Sequence, residues 1–359
     1  MSMRRRWSAL VFIGAAALLA LAGRAERLSP DSGSAPGGHG SPGRLRFEKA
    51  LDVEVFQRGN IHTHTSLSDG DSEPRDVVRW YRENGYSFVA LTEHNQRVDP
   101  AMFQDPSSAS NFAVIPGEEV TMWAEGKAVH VNALCTRATI GGGAFLTKGE
   151  ALKWAIGRVW AEGGVALINH PNFDWSLSAG DLLAAPAAEL LEIHSGHPYV
   201  YTDGDATRPS HEALWDAVLT VRGAAGGGIV GVAVDDLHQL TAGSGAPPAG
   251  PGRGFIEVFS REASRAAICS ALAGGRLYAS SGARLRRIAL AGDAFSVWPA
   301  AAGAVVEFVG RGGRVLERQQ PAEGRATYRL RGGERYVRAR ITRPDGKRAW
   351  TPAYATVEP

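Results

Sequence analysis

Histidines and carboxylates are concentrated in residues 59–95, which read GNIHTHTSLSDGDSEPRDVVRWYRENGYSFVALTEHN. His62 and His64 are separated by a single residue, and Asp69 and His94 follow in the same segment. On a strand, residues i and i+2 point to the same side, so His62 and His64 could reach one metal ion. A His-x-His pair alone is equally well explained by two loop histidines. The additional ligands nearby favour a metal site.

More histidines and acids follow at the ends of later apolar segments. The motifs are GEE with Glu118 and Glu119, VHVNAL with His130, INHP with His170, and VDDLH with Asp235, Asp236 and His238. Six of the ten histidines lie in these motifs or in residues 59–95, far more than a packed core needs. Imidazole and carboxylate donors without a thiolate suit Zn, Mn or Fe, and they argue against a thiolate-type structural zinc site.

These ligands exceed one coordination sphere, so we predict two to three divalent metal ions (Zn, Mn or Fe). Glu118 is the carboxylate that we expect to bridge two of them. A site of this kind lowers the pKa of bound water and holds the oxygens of a displacement reaction. We therefore expect an enzyme that uses a metal-bound hydroxide to hydrolyse a phosphoester. Hydrolysis of a carboxylic ester or carbamate at the same site remains the alternative, as does a non-catalytic, metal-loaded binding module.

The elements that must position these residues alternate between short apolar runs and helical patterns. The apolar runs are NIHTH, SFVALTEH, FAVIPGEE, AVHVNAL, VALINHP, ELLEIHSG and IVGVAVDDLH, which we interpret as buried, largely parallel strands. Helices are predicted from Ser72 to Gly85, from a capping box at Thr147 and Glu150 to Gly163, and from Ser210 to Gly223. Because the metal-type residues follow the runs, they would meet at the carboxyl-terminal face of a parallel β/α barrel.

The two ends of the chain have a different character. Residues 283–359 alternate between apolar and polar residues, contain no histidine, and predict a small antiparallel β-sandwich after a hydrolase barrel at 51–282. Residues 1–25 have a basic start, an apolar run and small residues for cleavage, as in a signal peptide, or else an uncleaved anchor. Residues 26–50 are rich in Pro, Gly and Ser, which predicts a flexible linker.

Composition excludes some partners and leaves one question open. The formal charge of +2 becomes slightly negative without the four arginines of residues 1–25, since 35 basic residues then face 37 acidic ones. Without a clustered basic surface we expect no nucleic-acid partner, but a small-molecule ester substrate. After signal cleavage we expect an exported protein without stable membrane insertion. The sequence does not decide whether Cys135 and Cys269, the only two cysteines, form a disulfide.

The motifs IHTHTSLSDG, FVALTEHN, GEE, HVNAL, NHPNFDW and GVAVDDLH resemble the PHP (polymerase and histidinol phosphatase) family over about residues 59–281. With GHPYVYTDGD and PSHEALWD, they most resemble its exported carbaryl-hydrolase-like branch. The resemblance implies a distorted (β/α)7 barrel with a metal centre on its carboxyl-terminal rim. It implies one ion bound by His62, His64, Glu118 and Asp236, a second by Glu118, His130 and His170, and a third by Asp69, His94 and His238.

Several assignments within this set rest on the residues themselves. We prefer Asp236 to Asp235 because Asp-x-His repeats the same-side geometry of a strand. The residues expected to act directly in catalysis are His62, His64, Glu118, Asp236 and His238. Glu192 could orient a ligand histidine, since such rings usually donate to a carboxylate or carbonyl. Arg97 and Lys127, in adjoining loops, could meet an anionic group of the substrate.

Overall fold

The computed structural model describes residues 45–103, 112–224, 228–241 and 248–358. These residues all belong to one unit of the chain, Gly43–Pro359. The predicted signal peptide at 1–25 and most of the predicted linker lie outside the described residues, and both remain predictions.

Strands and helices alternate in the first two thirds of the chain and strands dominate the last third. The first strands are β1 (Arg46–Phe47), β2 (Leu51–Val53), β3 (Gln57–Asn60), β4 (Phe88–Leu91), β5 (Ala113–Ala124), β6 (Lys127–Leu134), β7 (Gly143–Phe145), β8 (Val165–Ile168), β9 (Leu190–Ser195) and β10 (Val230–Val234). The later strands are β11 (Phe255–Val258), β12 (Leu277–Ser280), β13 (Leu285–Ala291), β14 (Ala294–Pro299), β15 (Val305–Val309), β16 (Val315–Gln319), β17 (Ala326–Arg329), β18 (Tyr336–Thr342), β19 (Arg348–Trp350) and β20 (Tyr354–Val357). The helices are α1 (Pro74–Glu83), α2 (Lys148–Ala161), α3 (Ala179–Ala184), α4 (His211–Arg222) and α5 (Arg265–Ala273).

The fold is mixed α/β, with a large sheet rich in parallel pairs. Strands β3, β4 and β5 pair in parallel, and so do β8, β9 and β10. Strand β6 pairs antiparallel with both β5 and β8, so the expectation of a parallel strand was wrong there. Only Glu125 and Gly126 separate β5 from β6, and both have positive φ, 52° and 71°. Two such residues form a hairpin turn, whereas a parallel connection needs a dozen or more.

Within the large sheet, the seven strands from β3 to β10 follow the order β3-β4-β5-β6-β8-β9-β10. The first and the last of them, β3 and β10, come together just beyond their carboxyl ends. The N–H of His64 donates to the carbonyl of Leu237 at 2.8 Å, and the N–H of Asp236 donates to the carbonyl of His62 at 3.1 Å. Thr63 and Leu237 form a parallel bridge between them. These contacts bring the first and the last metal-type motifs of the sequence side by side.

Both faces of the parallel strands are apolar, as expected of strands covered on both sides. Alternate residues such as Phe88, Leu167 and Val232 form one buried cluster. The intervening residues, such as Ile168, pack in another cluster with α2 and α4. The capping box of α2 at Thr147 and the Ser210 cap of α4 match the predictions. The first residue before α1 is Glu73 rather than the predicted Ser72.

The C-terminal strands form antiparallel sheets around one apolar cluster. One sheet has the order β17-β14-β13-β2. Strands β15, β18 and β20 pair antiparallel within the large sheet, which they join through β19, β12 and β11. Phe295, Phe308 and Tyr328 lie in their shared core. Strands β1 and β2 pair with β20 and β13, so residues 46–53 add to these sheets. A flexible linker extending to residue 50 is therefore wrong for its last residues.

Two further links hold distant parts of the chain together. Cys135, just after β6, forms a disulfide with Cys269 on α5. Arg338 on β18 is 1% exposed, and its guanidinium contacts Glu212 and Asp216 on α4. In the described ranges, no helix has the length and apolar character needed to cross a membrane.

Candidate metal centre

Four side chains from three chain segments converge at the carboxyl ends of β3 and β10 and on β5. His62 Nε2 lies 3.1 Å from His64 Nε2 and 3.3 Å from Asp236 Oδ1. Glu119 Oε2 lies 3.4 Å from His62 Nε2 and 3.1 Å from His64 Nε2. All four residues are almost fully buried. We call them the inner group.

Glu119 reaches a second set of histidines with its other carboxylate oxygen. Its Oε1 lies 2.9 Å from His130 Nδ1 and 3.2 Å from His170 Nε2. The same oxygen accepts a hydrogen bond from the side-chain amide of Asn169 at 2.7 Å. His130 lies on β6, which starts at this edge because it runs antiparallel, and His170 follows β8. Glu119 therefore stands between two groups of possible ligands.

A more exposed group lies on the solvent side of His64. Asp69 Oδ1 is 3.4 Å from His64 Nδ1, and Asp69 Oδ2 is 3.3 Å from His94 Nε2 and 3.4 Å from His238 Nε2. The side chain of Asp69 is 50% exposed, against 29% for His94 and 22% for His238. These four residues, which we call the outer group, offer donor atoms close enough together to share one ion.

The prediction that Glu118 bridges the ions needs correction, because the structure places Glu119 among the histidines instead. Glu118 faces the other side of β5, where its carboxylate accepts hydrogen bonds from the N–H groups of Ile140 and Gly141, both at 2.7 Å. Successive residues of a strand point to opposite faces, so only one of the two glutamates can enter the site.

Asp236 lies in the inner group and Asp235 does not, although the reason differs from strand alternation. Strand β10 ends at Val234, and Asp236 has a left-handed backbone with φ of 51°. That conformation turns its carboxylate toward His62 and His64. Asp235 points away and accepts hydrogen bonds from the hydroxyl of Tyr81 and the N–H groups of residues 252–254.

Three residues outside the ligand groups hold the ligands in place. The carboxylate of Glu192 lies 2.6 Å from His62 Nδ1 and accepts a hydrogen bond from the N–H of His170 at 2.8 Å. Glu93 accepts hydrogen bonds from Thr65 and Ser68, and so fixes the loop that leads to Asp69. The hydroxyl of Thr121 lies 2.7 Å from His94 Nδ1, a contact that sequence reasoning missed.

Within the site, His62, His64 and Glu119 stabilise each other in their charged forms, whereas burial lowers the pKa of His130. Burial alone would lower the pKa of His62, but Asp236 and Glu119 hold it well above its ordinary value. Burial opposes the charge of His64 too, and hydrogen bonds to the same carboxylates raise its pKa to about 9. Burial would raise the pKa of Glu119, yet His130 and His62 hold it well below its ordinary value. A divalent cation could replace the imidazole protons.

The donor atoms fit a metal ion in type and in spacing. Ligands of a tetrahedral ion with bonds of about 2.1 Å lie about 3.4 Å apart. The inner group has separations of 3.1 to 3.5 Å, including two imidazole nitrogens that face each other. Among the described residues, the buried His130 Nδ1 has no partner in hydrogen-bonding geometry, although Glu119 Oε1 is 2.9 Å away. Both atoms can instead face a common cation.

The two basic residues that we expected to meet an anionic group of the substrate, Arg97 and Lys127, have other partners. Arg97 donates to the carbonyl of Thr136 at 2.8 Å. Lys127 contacts the Asp174 carboxylate at 2.9 Å. His197 lies beside His238, with ring centroids 5.0 Å apart, outside the ligand groups.

No protein-family model and no curated protein matches the chain. One similar structure is a two-domain Bacteroides vulgatus protein containing a predicted PHP-like metal-dependent phosphoesterase, with 15% identity, a TM-score of 0.42 and coverage of 89% of this chain and 100% of that one. A candidate metal-dependent phosphoesterase from Bifidobacterium adolescentis has 18% identity, a TM-score of 0.36 and coverages of 53% and 89%. An amidohydrolase from Chromobacterium violaceum has 13% identity, a TM-score of 0.36 and coverages of 54% and 93%. Such values assign no activity to this chain.

Proposed function

We propose that this chain is a metal-dependent hydrolase of the phosphoesterase type that binds two to three divalent ions. The observation that carries the proposal is the position of Glu119, whose two oxygens face separate sets of histidines. Divalent ions at such a site supply a Lewis acid and lower the pKa of water. The quoted sequence motifs support membership of the PHP family, close to its exported carbaryl-hydrolase-like branch. The meeting of β3 and β10 supports a distorted seven-stranded barrel.

The proposed ion ligands fall into a buried part and a solvent-exposed part of the site. The inner group and His170 are nearly inaccessible, the side chain of His130 is only 9% exposed, and these residues would hold ions firmly. The outer group around Asp69 faces solvent and would take a third ion on the side from which a substrate can approach. Glu93 holds the loop that carries Asp69 in place, because its carboxylate accepts hydrogen bonds from both Thr65 and Ser68.

A carboxylic ester or carbamate is the second candidate substrate, and one observation favours it. The basic residues that we expected to meet an anionic group have other partners, since Arg97 binds a carbonyl and Lys127 binds Asp174. Arg208, in the loop before α4, pairs with Asp205 and stacks on Trp175 at 3.6 Å. An uncharged ester would need no additional cation beside the metal centre.

Export is part of the proposal, with an uncleaved N-terminal anchor as its variant. The Cys135–Cys269 disulfide supports it, because structural disulfides persist mainly in oxidising compartments. The proposed partner is a small-molecule ester rather than a nucleic acid. Fractionation of the native host with an antibody against the chain would test the location.

The proposed activity can be tested on protein purified without chelators and loaded with Mn²⁺ or Zn²⁺. We expect turnover of at least one of p-nitrophenyl phosphate, bis-p-nitrophenyl phosphate and a naphthyl ester or carbamate. The relative rates decide between phosphoester and carbonyl substrates. His64→Ala should abolish turnover. Fully loaded protein that hydrolyses none of these compounds would favour a binding module over an enzyme.

A further inference from the structure

Glu192 is a fully buried carboxylate on β9 that contacts two histidines of the site without belonging to any ligand group. Its Oε1 lies 2.6 Å from His62 Nδ1, and its Oε2 accepts a hydrogen bond from the N–H of His170 at 2.8 Å. His62 follows β3 and His170 follows β8. One carboxylate therefore connects two ligands from different strands, and both of its oxygens are engaged.

The short contact determines which nitrogen of His62 keeps its proton when a metal ion binds the ring. Glu192 accepts from the backbone N–H of His170 on one oxygen, and with its carboxylate as the acceptor on the other oxygen as well, His62 Nδ1 is the donor. When a metal ion displaces the other ring proton, the imidazole keeps one N–H at Nδ1, and the lone pair of Nε2 becomes available to the ion. This Nε2 is the atom that faces Glu119, Asp236 and His64 at 3.1 to 3.4 Å.

We propose that Glu192 is a positioning residue that fixes the tautomer of His62 and so makes Nε2 a metal ligand. The inference rests on the proposed metal centre but not on the reaction. The N–H of His170 fixes the orientation of Glu192, because it donates a hydrogen bond to the second carboxylate oxygen and prevents the carboxylate from turning. Carboxylates behind metal-binding histidines typically change metal affinity about 10- to 100-fold when they are removed.

Replacing Glu192 by its isosteric amide gives an unusual expectation. In Glu192→Gln, the N–H of His170 can only donate, so the amide oxygen must take the Oε2 position. The amide NH₂ group then faces His62 Nδ1 and donates to it. The ring proton moves to Nε2, which can no longer bind a metal ion. Glu192→Ala introduces no donor opposite His62 Nδ1, so both neutral tautomers of the His62 ring remain accessible.

The experiment compares zinc binding by the wild type, Glu192→Gln and Glu192→Ala, with metal analysis and chelator competition as readouts. We expect the zinc affinity of the alanine variant to fall about 10- to 100-fold and that of the glutamine variant to fall further. Glu257→Gln is the matched control, because Glu257 is equally buried but contacts Arg58 and Arg284 instead. Its zinc content should equal that of the wild type.

Which of the two variants binds zinc more weakly decides whether Glu192 acts through the tautomer of His62. A purely structural role predicts the reverse order, with the isosteric glutamine milder than alanine, and that result would overturn the proposal. Nitrogen-15 spectra of the zinc-loaded wild type provide a test that needs no variant. They should show the His62 proton on Nδ1, and a proton on Nε2 instead would contradict the proposed role of Glu192. Wild-type protein that binds zinc without hydrolysing any ester would contradict the proposed function only.

Discussion

Glu118 and Glu119 are adjacent on β5, yet their carboxylates lie on opposite faces of the sheet and have opposite environments. Glu119 Oε1 lies 2.9 Å from His130 Nδ1, whereas the Glu118 carboxylate accepts a hydrogen bond from the backbone N–H of Ile140. Burial raises the pKa of Glu118 above its ordinary value. The histidines around Glu119 outweigh its burial and hold its pKa well below that value. Of the two, Glu119 is the carboxylate whose ionised form its neighbours stabilise, as a cation site requires.

Substituting these two glutamates should therefore have unequal effects. Glu119→Gln removes the carboxylate charge shared by the two sets of histidines, and we expect the loss of at least one ion per chain and of turnover. Glu118→Gln keeps an acceptor for at least one of the two backbone N–H groups and should retain its ions. Metal analysis of both variants by mass spectrometry is the measurement. Equal metal content in the two variants would contradict the position assigned to Glu119.

The sequence contained the information needed to choose Glu119. The residues EG in WAEGKAV can form a two-residue hairpin turn because the second is glycine, and a turn there pairs Ala124 with Lys127. Counting back along that ladder sets Thr121 opposite His130 and places Glu119, rather than Glu118, on the face of His130. We interpreted the apolar run after the turn as one of the largely parallel strands and did not use this pairing to choose between Glu118 and Glu119.

Other features depend on contacts between distant residues, which a local pattern does not show. Strand β1 has only two residues and pairs with β20, more than 300 positions away. The left-handed backbone of Asp236 lies at the meeting of β3 and β10, where its N–H donates to His62. By contrast, the Thr147 capping box and the Ser210 cap depend on neighbours in sequence, and both were predicted.

Metal affinity should rise with pH between about 6.5 and 9. In the metal-free protein Asp236 and Glu119 outweigh burial and raise the pKa of His64 to about 9, so at neutral pH an ion must displace its proton. Calorimetry in buffers of different ionisation enthalpy should detect this release. The raised pKa stabilises the metal-free fold below pH 6.5, and that contribution disappears as pH rises through 9. Affinity that stays constant over this range would contradict the charge state assigned to His64.

Breaking the Cys135–Cys269 disulfide should lower the thermal stability. The bond closes a loop with a sequence separation of 134 residues. A loop of this length corresponds to about 5 kcal/mol in the chain-entropy model, which we take as an upper value. We expect Cys269→Ala to lower the Tm by several degrees, and a reductant to do the same to the wild type but not to the variant. An unchanged Tm under both treatments would show that the bond does not stabilise the fold.

Arg338 should be among the most sensitive structural positions, because its buried guanidinium holds together two acids of α4. It lies 2.7 Å from both Glu212 and Asp216. Breaking such a buried pair costs about 3 to 5 kcal/mol. Asp216 would lose its charged partner, whereas Glu212 would keep Arg340, which lies 3.1 Å away. We expect Arg338→Met to lower the free energy of unfolding by this amount in urea titrations.

The pH dependence of this loss separates unpaired charge from lost packing. Even beside Arg338, burial holds the pKa of Asp216 above its ordinary value. Without the guanidinium, the pKa of Asp216 in the folded protein should rise further. A carboxyl group with a raised pKa in the folded state stabilises the fold at low pH, and the contribution disappears as pH rises through that pKa. The deficit of Arg338→Met should therefore shrink as pH falls, and adding Glu212→Gln and Asp216→Asn should remove most of it at pH 8. A deficit that is independent of pH and of these additions would point to lost packing alone.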